Sequence, residues 1–303
     1  MTRIRIGTRG SLLALAQSNW VKAQLMQNEP ALEVELRIIK TSGDRLIDTP
    51  IQNLGGKGVF TKEIEQALLR DEIDLAVHSM KDLPAQLPAG LVIAAVPKRE
   101  DPRDVLVTRE KRAFAELPSG TTIGTGSLRR QAQLLNKRRD LAMVPMRGNV
   151  DTRLRKLDEG QVNALVMAAA GLKRIGRADR IGEYLADEVC VSAVAQGALG
   201  VESRKESLVG EHLRFLHDPA TCSEVAAERA LLDRLGGDCY VPIGARARLF
   251  GSQLKLTGVV ASPDGSRLCR GEISGHADAA AELGQRLAEE LLKQGAVELL
   301  GAK

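Results

Sequence analysis

Aromatic side chains are nearly missing from this sequence: Phe, Trp and Tyr together make up 2% of its 303 residues. Surfaces that stack on nucleic-acid bases need such rings. The charge balance also argues against a nucleic-acid binder, because 43 Lys and Arg against 39 Asp and Glu leave a net charge of only +4. No apolar run approaches the about 18 residues of a membrane span. Behind the start Met1-Thr2-Arg3-Ile4-Arg5 there is no apolar signal region, so the expectation is a protein that is not exported. The four cysteines (Cys190, Cys222, Cys239 and Cys269) lie far apart and form no CxxC pair. That spacing suits neither a structural zinc site nor a redox motif, and no metal is expected. Free thiols are expected in a cytosolic chain. Gly55-Gly56-Lys57-Gly58 lacks the Ser or Thr of a phosphate loop, Gly124-Thr125-Gly126 lacks the third glycine of a dinucleotide site, and there is no GxSxG or HExxH.

What is present is patterned as alternating strand and helix. Arg3 to Thr8 alternates, and a helical pattern opens at Leu12 and continues through Val21 and Leu25. Leu32 to Ile39 alternates again, Phe60 to Leu69 is helical, and Ile73 to Val77 is a short apolar run of the buried-strand kind. The plan recurs: Ile6-Gly7-Thr8 before Ser11 is echoed by Ile123-Gly124-Thr125 before Ser127. Two α/β domains in tandem are therefore expected. Charged, proline-bearing Pro97 to Asp104 suits an outward crossing, and small, glycine-rich Ala193 to Gly200 a return. The tail differs. A helix over Ala220 to Leu235, strands over Arg246–Gly251, Gln253–Val260 and Arg267–Ile273, and a last helix from Asp278, its N-cap, to Gln294 predict a small α+β unit. The expected division is 1–97 plus 198–215, then 98–197, then 216–303.

Five constellations carry chemistry. Thr8-Arg9-Gly10-Ser11 meets a helix start, where unpaired N–H groups suit an anion; alone, it reads rather as a capped helix with a solvated arginine. Thr125-Gly126-Ser127-Leu128-Arg129-Arg130 puts two cations in a first helical turn, against the helix dipole, a cost that a bound anion would relieve. Met146-Arg147-Gly148-Asn149-Val150-Asp151-Thr152-Arg153 adds arginines around a glycine open to close approach. With Arg174, these arginines at strand-to-helix turns point to a ligand with many carboxylates or phosphates. In His78-Ser79-Met80-Lys81-Asp82, Asp82 could be an acid/base or a helix cap, and His78 reads as structural. Cys239 follows Gly236-Gly237-Asp238 and precedes Pro242. Its constrained loop leaves a nucleophilic thiol and an unreactive one equally open. Cys190, Cys222 and Cys269 read as small packing residues.

Arg9-Gly10-Ser11-Leu12-Leu13-Ala14, Gly55 to Gly58, His78 to Asp82, Gly124 to Arg130, Arg147-Gly148-Asn149-Val150, Ala170 to Arg174 and Cys239-Tyr240-Val241-Pro242-Ile243-Gly244 together resemble the porphobilinogen deaminase (hydroxymethylbilane synthase) family, in order and spacing. The resemblance implies two periplasmic-binding-protein-like α/β domains with mixed sheets, plus an α+β third domain with an antiparallel sheet. It implies a cytoplasmic, monomeric transferase of tetrapyrrole (haem) biosynthesis that condenses four porphobilinogen molecules to hydroxymethylbilane with release of ammonia. Its cofactor would be a dipyrromethane held by a thioether to Cys239. Asp82 would contact pyrrole N–H groups and stabilise a cationic azafulvene-like intermediate. Lys81, Thr125, Ser127, Arg129, Arg130 and Gln196 would hold the cofactor. Arg9, Ser11, Arg147, Gly148, Arg153, Met167, Ala168 and Arg174 would hold substrate, and Lys57 and Phe60 would lie on a loop over the cleft. The family has a small residue before the cysteine; Asp238 stands there in this chain and should raise the thiol pKa.

A non-catalytic anion-binding protein of two α/β lobes would also explain the arginines. It leaves Cys239, the third domain and the missing signal region unexplained.

Overall fold

The computed structural model describes residues 3–45, 61–84, 86–236 and 241–301. Along the chain run β1 (Arg3–Thr8), α1 (Leu12–Asn28), β2 (Glu33–Ile38), α2 (Ser42–Arg45), α3 (Lys62–Leu69), β3 (Leu75–Ser79), β4 (Leu91–Ala95), β5 (Asp104–Thr108), β6 (Thr122–Gly124), α4 (Leu128–Lys137), β7 (Ala142–Val144), α5 (Val150–Asp158), β8 (Ala164–Ala168), α6 (Ala169–Arg174) and β9 (Glu183–Tyr184). After these come β10 (Leu199–Arg204), α7 (Val209–Leu213), α8 (Pro219–Arg234), β11 (Ile243–Phe250), β12 (Gln253–Ala261), β13 (Leu268–His276), α9 (Ala280–Leu291) and α10 (Val297–Gly301). Residues 1–99 with 198–221 form one compact unit, and 100–197 with 222–303 form another.

The first unit is built on a five-stranded sheet ordered β2-β1-β3-β10-β4. β1 lies parallel to β2 and β3, and β10 runs antiparallel to β3 and β4. The alternation in β1 buries Ile4 and Ile6, which join Val21 and Leu25 of α1, Leu75 and Val77 of β3, and Val201 of β10 in one cluster. On the other sheet face, Ala76 packs with Ile64 and Leu68 of α3.

The second unit repeats the plan. Its sheet is ordered β7-β6-β8-β5-β9, with β6 parallel to β7 and β8, and β5 antiparallel to β8 and β9. The Ile-Gly-Thr echo thus reports equivalent strands: β1 and β6 each lie between two parallel neighbours. The same unit carries a three-stranded antiparallel sheet, β11-β12-β13. Leu283, Leu287 and Leu291 of α9 recur every four residues and are buried, so one helix stripe faces this sheet. Gly258 and Gly271 allow the approach, since a Cβ at either would come within 2.8 Å of a leucine carbon from α8 or α9. The expected fold class, two mixed-sheet α/β arrangements plus an antiparallel sheet with helices, is the one observed.

Two local readings are corrected. Asp278 does not cap the last helix. A 3-10 turn over Ala277–Ala279 comes first, and the Nδ1 of His276 accepts the Asp278 N–H at 3.4 Å. α9 ends at Leu291 rather than Gln294, and the backbone turns at Gly295, where φ is 99°. Among the described residues no helix is long and apolar enough to cross a membrane.

Candidate active site

In the first unit the chemistry gathers at the ends of β1 and β3. Ser11 caps α1: its Oγ accepts the Ala14 N–H at 3.3 Å. That bond satisfies one of the donors a helix start leaves open. Further along α1, Gln17 donates from Nε2 to Ser79 Oγ at 2.9 Å, tying the helix to the end of β3. β3 then tightens into a 3-10 turn, Met80–Asp82, in which Met80 is buried, Lys81 half-buried and Asp82 exposed. A pocket opens here, lined by Arg9, Ser11, Gln17, His78, Ser79 and Asp82 among others. The structure therefore joins the Arg9-Ser11 turn and the Asp82 turn in one site.

Behind that pocket lies a buried polar group. His78 Nε2 is 3.0 Å from Glu202 Oε2, and the Glu202 side chain is fully buried. Glu65 of α3 faces the same pair. Burial pushes its carboxyl above the ordinary value and Glu202 adds to the rise, while Thr61 and His78 act against it. The 3.0 Å approach of His78 to Glu202 is not a formed hydrogen bond, and His78 also contributes to the pocket wall.

In the second unit, Ser127 caps α4, its Oγ accepting the Arg130 N–H at 3.5 Å, and the Thr125 hydroxyl accepts the Ser127 N–H at 3.2 Å. Arg129 and Arg130 already have an anion, and it belongs to the protein. Asp104, fully buried at the start of β5, accepts Arg129 Nη1 on Oδ2 at 2.6 Å. On Oδ1 it accepts Arg130 Nε at 2.9 Å and Nη2 at 2.7 Å. Gln196 Nε2 donates to the same oxygen at 2.9 Å. Burial alone would raise the Asp104 carboxyl; the two guanidinium groups reverse this and hold it far below the usual carboxylate range. Cys190 lies beside this cluster, and burial followed by the Asp104 charge pushes its thiol up to about 12. Cys269, also buried, is raised by burial.

Arg153 and Arg174 have no such carboxylate beside them among the described residues. Arg153 donates from Nε to the Gly148 carbonyl at 2.8 Å. Burial, then the charges of Arg130 and Arg147, lower it to about 10. Arg174 is the last residue of α6 rather than a helix-start residue. It donates from Nη2 to the Gly197 carbonyl at 2.7 Å, and burial lowers it to about 10 although Glu100 opposes the shift. Among the described residues no carboxylate forms an ion pair with either. Gly148 has φ 109°, and a Cβ there would lie 2.7 Å from Thr152 Cγ2, so the turn itself demands glycine. Met167 packs its side chain in the core of this unit. Ala168 is half-buried at the end of β8.

Cys239, Asp238, Lys57 and Phe60 lie outside the described residues. Sequence reading missed Asp104 and Glu228. Asp104 had a signal: an acid opening the wholly buried strand Asp104–Thr108 needs buried cations. Glu228 had none, because the backbone N–H groups it accepts belong to distant segments.

Residues 4–209 match the family model described as porphobilinogen deaminase, dipyromethane cofactor binding domain, and residues 222–293 match the porphobilinogen deaminase C-terminal domain. A porphobilinogen deaminase of Pelobacter propionicus is 52% identical over 98% of this chain and 96% of its own length. That of Geobacter sulfurreducens is 51% identical over 99% and 94%. Among solved structures, a Salmonella typhimurium periplasmic binding protein of high arginine specificity aligns at 16% identity and a TM-score of 0.40, covering 73% of this chain and 94% of its own. On its ordered motifs, the two family-model matches and the relatives at about half identity, the chain belongs to the porphobilinogen deaminase family.

Proposed function

We propose that this chain runs the hydroxymethylbilane synthase reaction with Asp82 as its catalytic carboxylate and with Arg9, Ser11, Arg147, Arg153 and Arg174 as holders of substrate carboxylates. The reaction itself is that of the family: four porphobilinogen molecules are joined head to tail and one ammonia leaves from each. Arg153 is the observation that carries the site reading. It is a half-buried guanidinium crowded by Arg130 and Arg147, with no ion-paired carboxylate among the described residues. A cation so placed is costly until an anion joins it. Each pyrrole of substrate and product brings a pair of carboxylates.

The same test bears on the dipyrromethane, which is also a polycarboxylate and fits a cluster with surplus guanidinium charge. Cys239 would hold it through a thioether. Lys81, Thr125, Ser127, Arg129, Arg130 and Gln196 would hold its ring substituents, with Asp104 fixing the two arginines. Two other thiols are poorly suited to ionise: Cys190 and Cys269 are buried and raised. When bound, the dipyrromethane supplies the pyrrole carbon to which the first substrate is joined.

Asp82 reaches solvent through the pocket opening, so a substrate ring entering there meets its carboxylate directly. A carboxylate beside the ring accepts pyrrole N–H groups and offsets the positive charge that develops as ammonia leaves. Arg9 and Ser11, at the N-terminus of α1 in the same pocket, suit the ring's carboxylates. Gly148 and the backbone at Met167 and Ala168 complete the reading on the second unit, as Lys57 and Phe60 do on the segment outside the described residues. The reading takes 1–97 with 198–215, 98–197 and 216–303 as three domains of a cytoplasmic monomer.

The test is intact mass of the purified protein, with porphobilinogen turnover by wild type, R153Q and C239S. An added mass of two deaminated porphobilinogen units on the Cys239 peptide supports the reading. C239S with full turnover rejects the anchor, and R153Q with an unchanged KM rejects the carboxylate assignment.

A further inference from the structure

Within the second unit, one carboxylate of α8 joins two otherwise separate pieces of backbone. Glu228 is fully buried. Its Oε2 accepts the N–H of Ala195 at 2.6 Å, and its Oε1 accepts the N–H of Ala247, on β11, at 2.8 Å. Ala195 has φ 57°, a left-handed conformation that side chains other than glycine, Asn and Asp seldom adopt. Such a residue persists only where its surroundings over-determine it. Here the carboxylate supplies that determination.

The turn at Ala195 has consequences in the next two residues. Gln196 donates from Nε2 to the Pro102 carbonyl at 2.7 Å and to Asp104 Oδ1 at 2.9 Å, and Arg130 Nη2 lies 3.5 Å from Gln196 Oε1. Gly197 has φ 88°, and a Cβ there would stand 2.3 Å from the Glu100 carbonyl oxygen. Its own carbonyl accepts Arg174 at 2.7 Å. Ala195 is thus the pivot from which one neighbour reaches the Asp104–Arg130 cluster and the next orients Arg174.

We propose that Glu228 is a positioning residue for this reaction: by fixing Ala195 in its left-handed turn against β11, it sets where Gln196 and Gly197 hold Arg130 and Arg174 for the ligand carboxylates. The proposal rests on reading those arginines and Arg153 as carboxylate holders. Glu228 is assigned no contact with a reacting atom and acts through the turn.

The chemistry of the bridge gives a selective test. Glutamine has one acceptor oxygen where glutamate has two, so E228Q must leave one of the two buried N–H groups unpaired. Glycine adopts a positive φ without strain, so A195G removes the need for the carboxylate at the turn. Holoenzymes carrying E228Q, A195G or both are compared with wild type for kcat and KM with porphobilinogen, well below each melting temperature. The expected result is a KM raised about tenfold in E228Q, from loss of one charge-assisted hydrogen bond, with kcat changed far less. Adding A195G then recovers at least a threefold part of that loss, which a merely structural role of Glu228 would not produce. Should E228Q fail to accumulate, E228D, too short to reach both N–H groups, is compared with E228D/A195G. A wild-type KM in E228Q, or a double variant no better than its Glu228 parent, overturns the proposal. R153Q separates the two readings. An unchanged KM there sinks the carboxylate reading and this proposal with it. A raised KM beside an unimpaired E228Q sinks the proposal alone.

Discussion

Asp104 receives Arg130 on a single oxygen: Oδ1 accepts Nε at 2.9 Å and Nη2 at 2.7 Å, which leaves Oδ2 for Arg129. The carboxylate therefore serves two buried guanidinium groups that follow each other in a first helical turn. Two cations beside a helix N-terminus oppose its dipole, and burial multiplies the cost. The fold accommodates them by placing an acid at the first residue of the adjacent buried strand.

D104N keeps the shape and removes the charge. It leaves two buried guanidinium groups without a counter-ion, a change that costs about 3–5 kcal/mol where a buried pair is broken from one side. Urea unfolding at neutral pH should show a loss of that order. A loss below about 1 kcal/mol would mean that the pair draws little stability from Asp104.

The same carboxylate sets a pH dependence. Its folded pKa lies well below the ordinary Asp value of about 4. Its contribution is therefore fully present above about pH 4 and is lost progressively as the pH falls below that. Wild type should lose unfolding free energy on acidification from pH 4 downward, and D104N should show a shallower slope in the same range. Equal slopes would assign the acid sensitivity to other groups.

Glu65 works in the opposite sense. Burial raises its carboxyl, so the folded state favours the protonated form and stability falls as the pH rises above the unfolded value of about 4.3. E65Q supplies the neutral form permanently. It should raise the melting temperature at pH 7.5 and leave it little changed at pH 4. An E65Q protein less stable at pH 7.5 would show that the charge is compensated by His78 after all.

How far these features were legible depended on whether the partner was a side chain. The Ile-Gly-Thr echo located β1 and β6 because alternation and a following cap are local signals. The conflict between Arg129-Arg130 and the helix dipole pointed to a bound anion, and sequence could not show that the chain itself supplies one in Asp104. Met167 shows a related limit: sequence does not say that its side chain turns into the core. Glu228 was silent, since one acid in a helix looks solvated until its two backbone donors come from distant segments. Asp278 was misread because a 3-10 turn shifted the helix start by two residues.

Asp82 separates function from stability most cleanly. Its side chain is exposed, and among the described residues it takes part in no hydrogen bond or ion pair, so D82N removes no structural contact. Changes at such positions usually stay within about 0.5 kcal/mol. On the proposed reading the carboxylate charge acts where positive charge develops as ammonia departs, and losing one such stabilising group costs about 100-fold or more in kcat. D82N should therefore keep the wild-type melting temperature and a KM within about threefold, the signature of an interaction made chiefly in the transition state. Porphobilinogen consumption under saturating substrate measures the fall in kcat, and near-normal turnover by a well-folded D82N protein would move the catalytic role to another pocket residue.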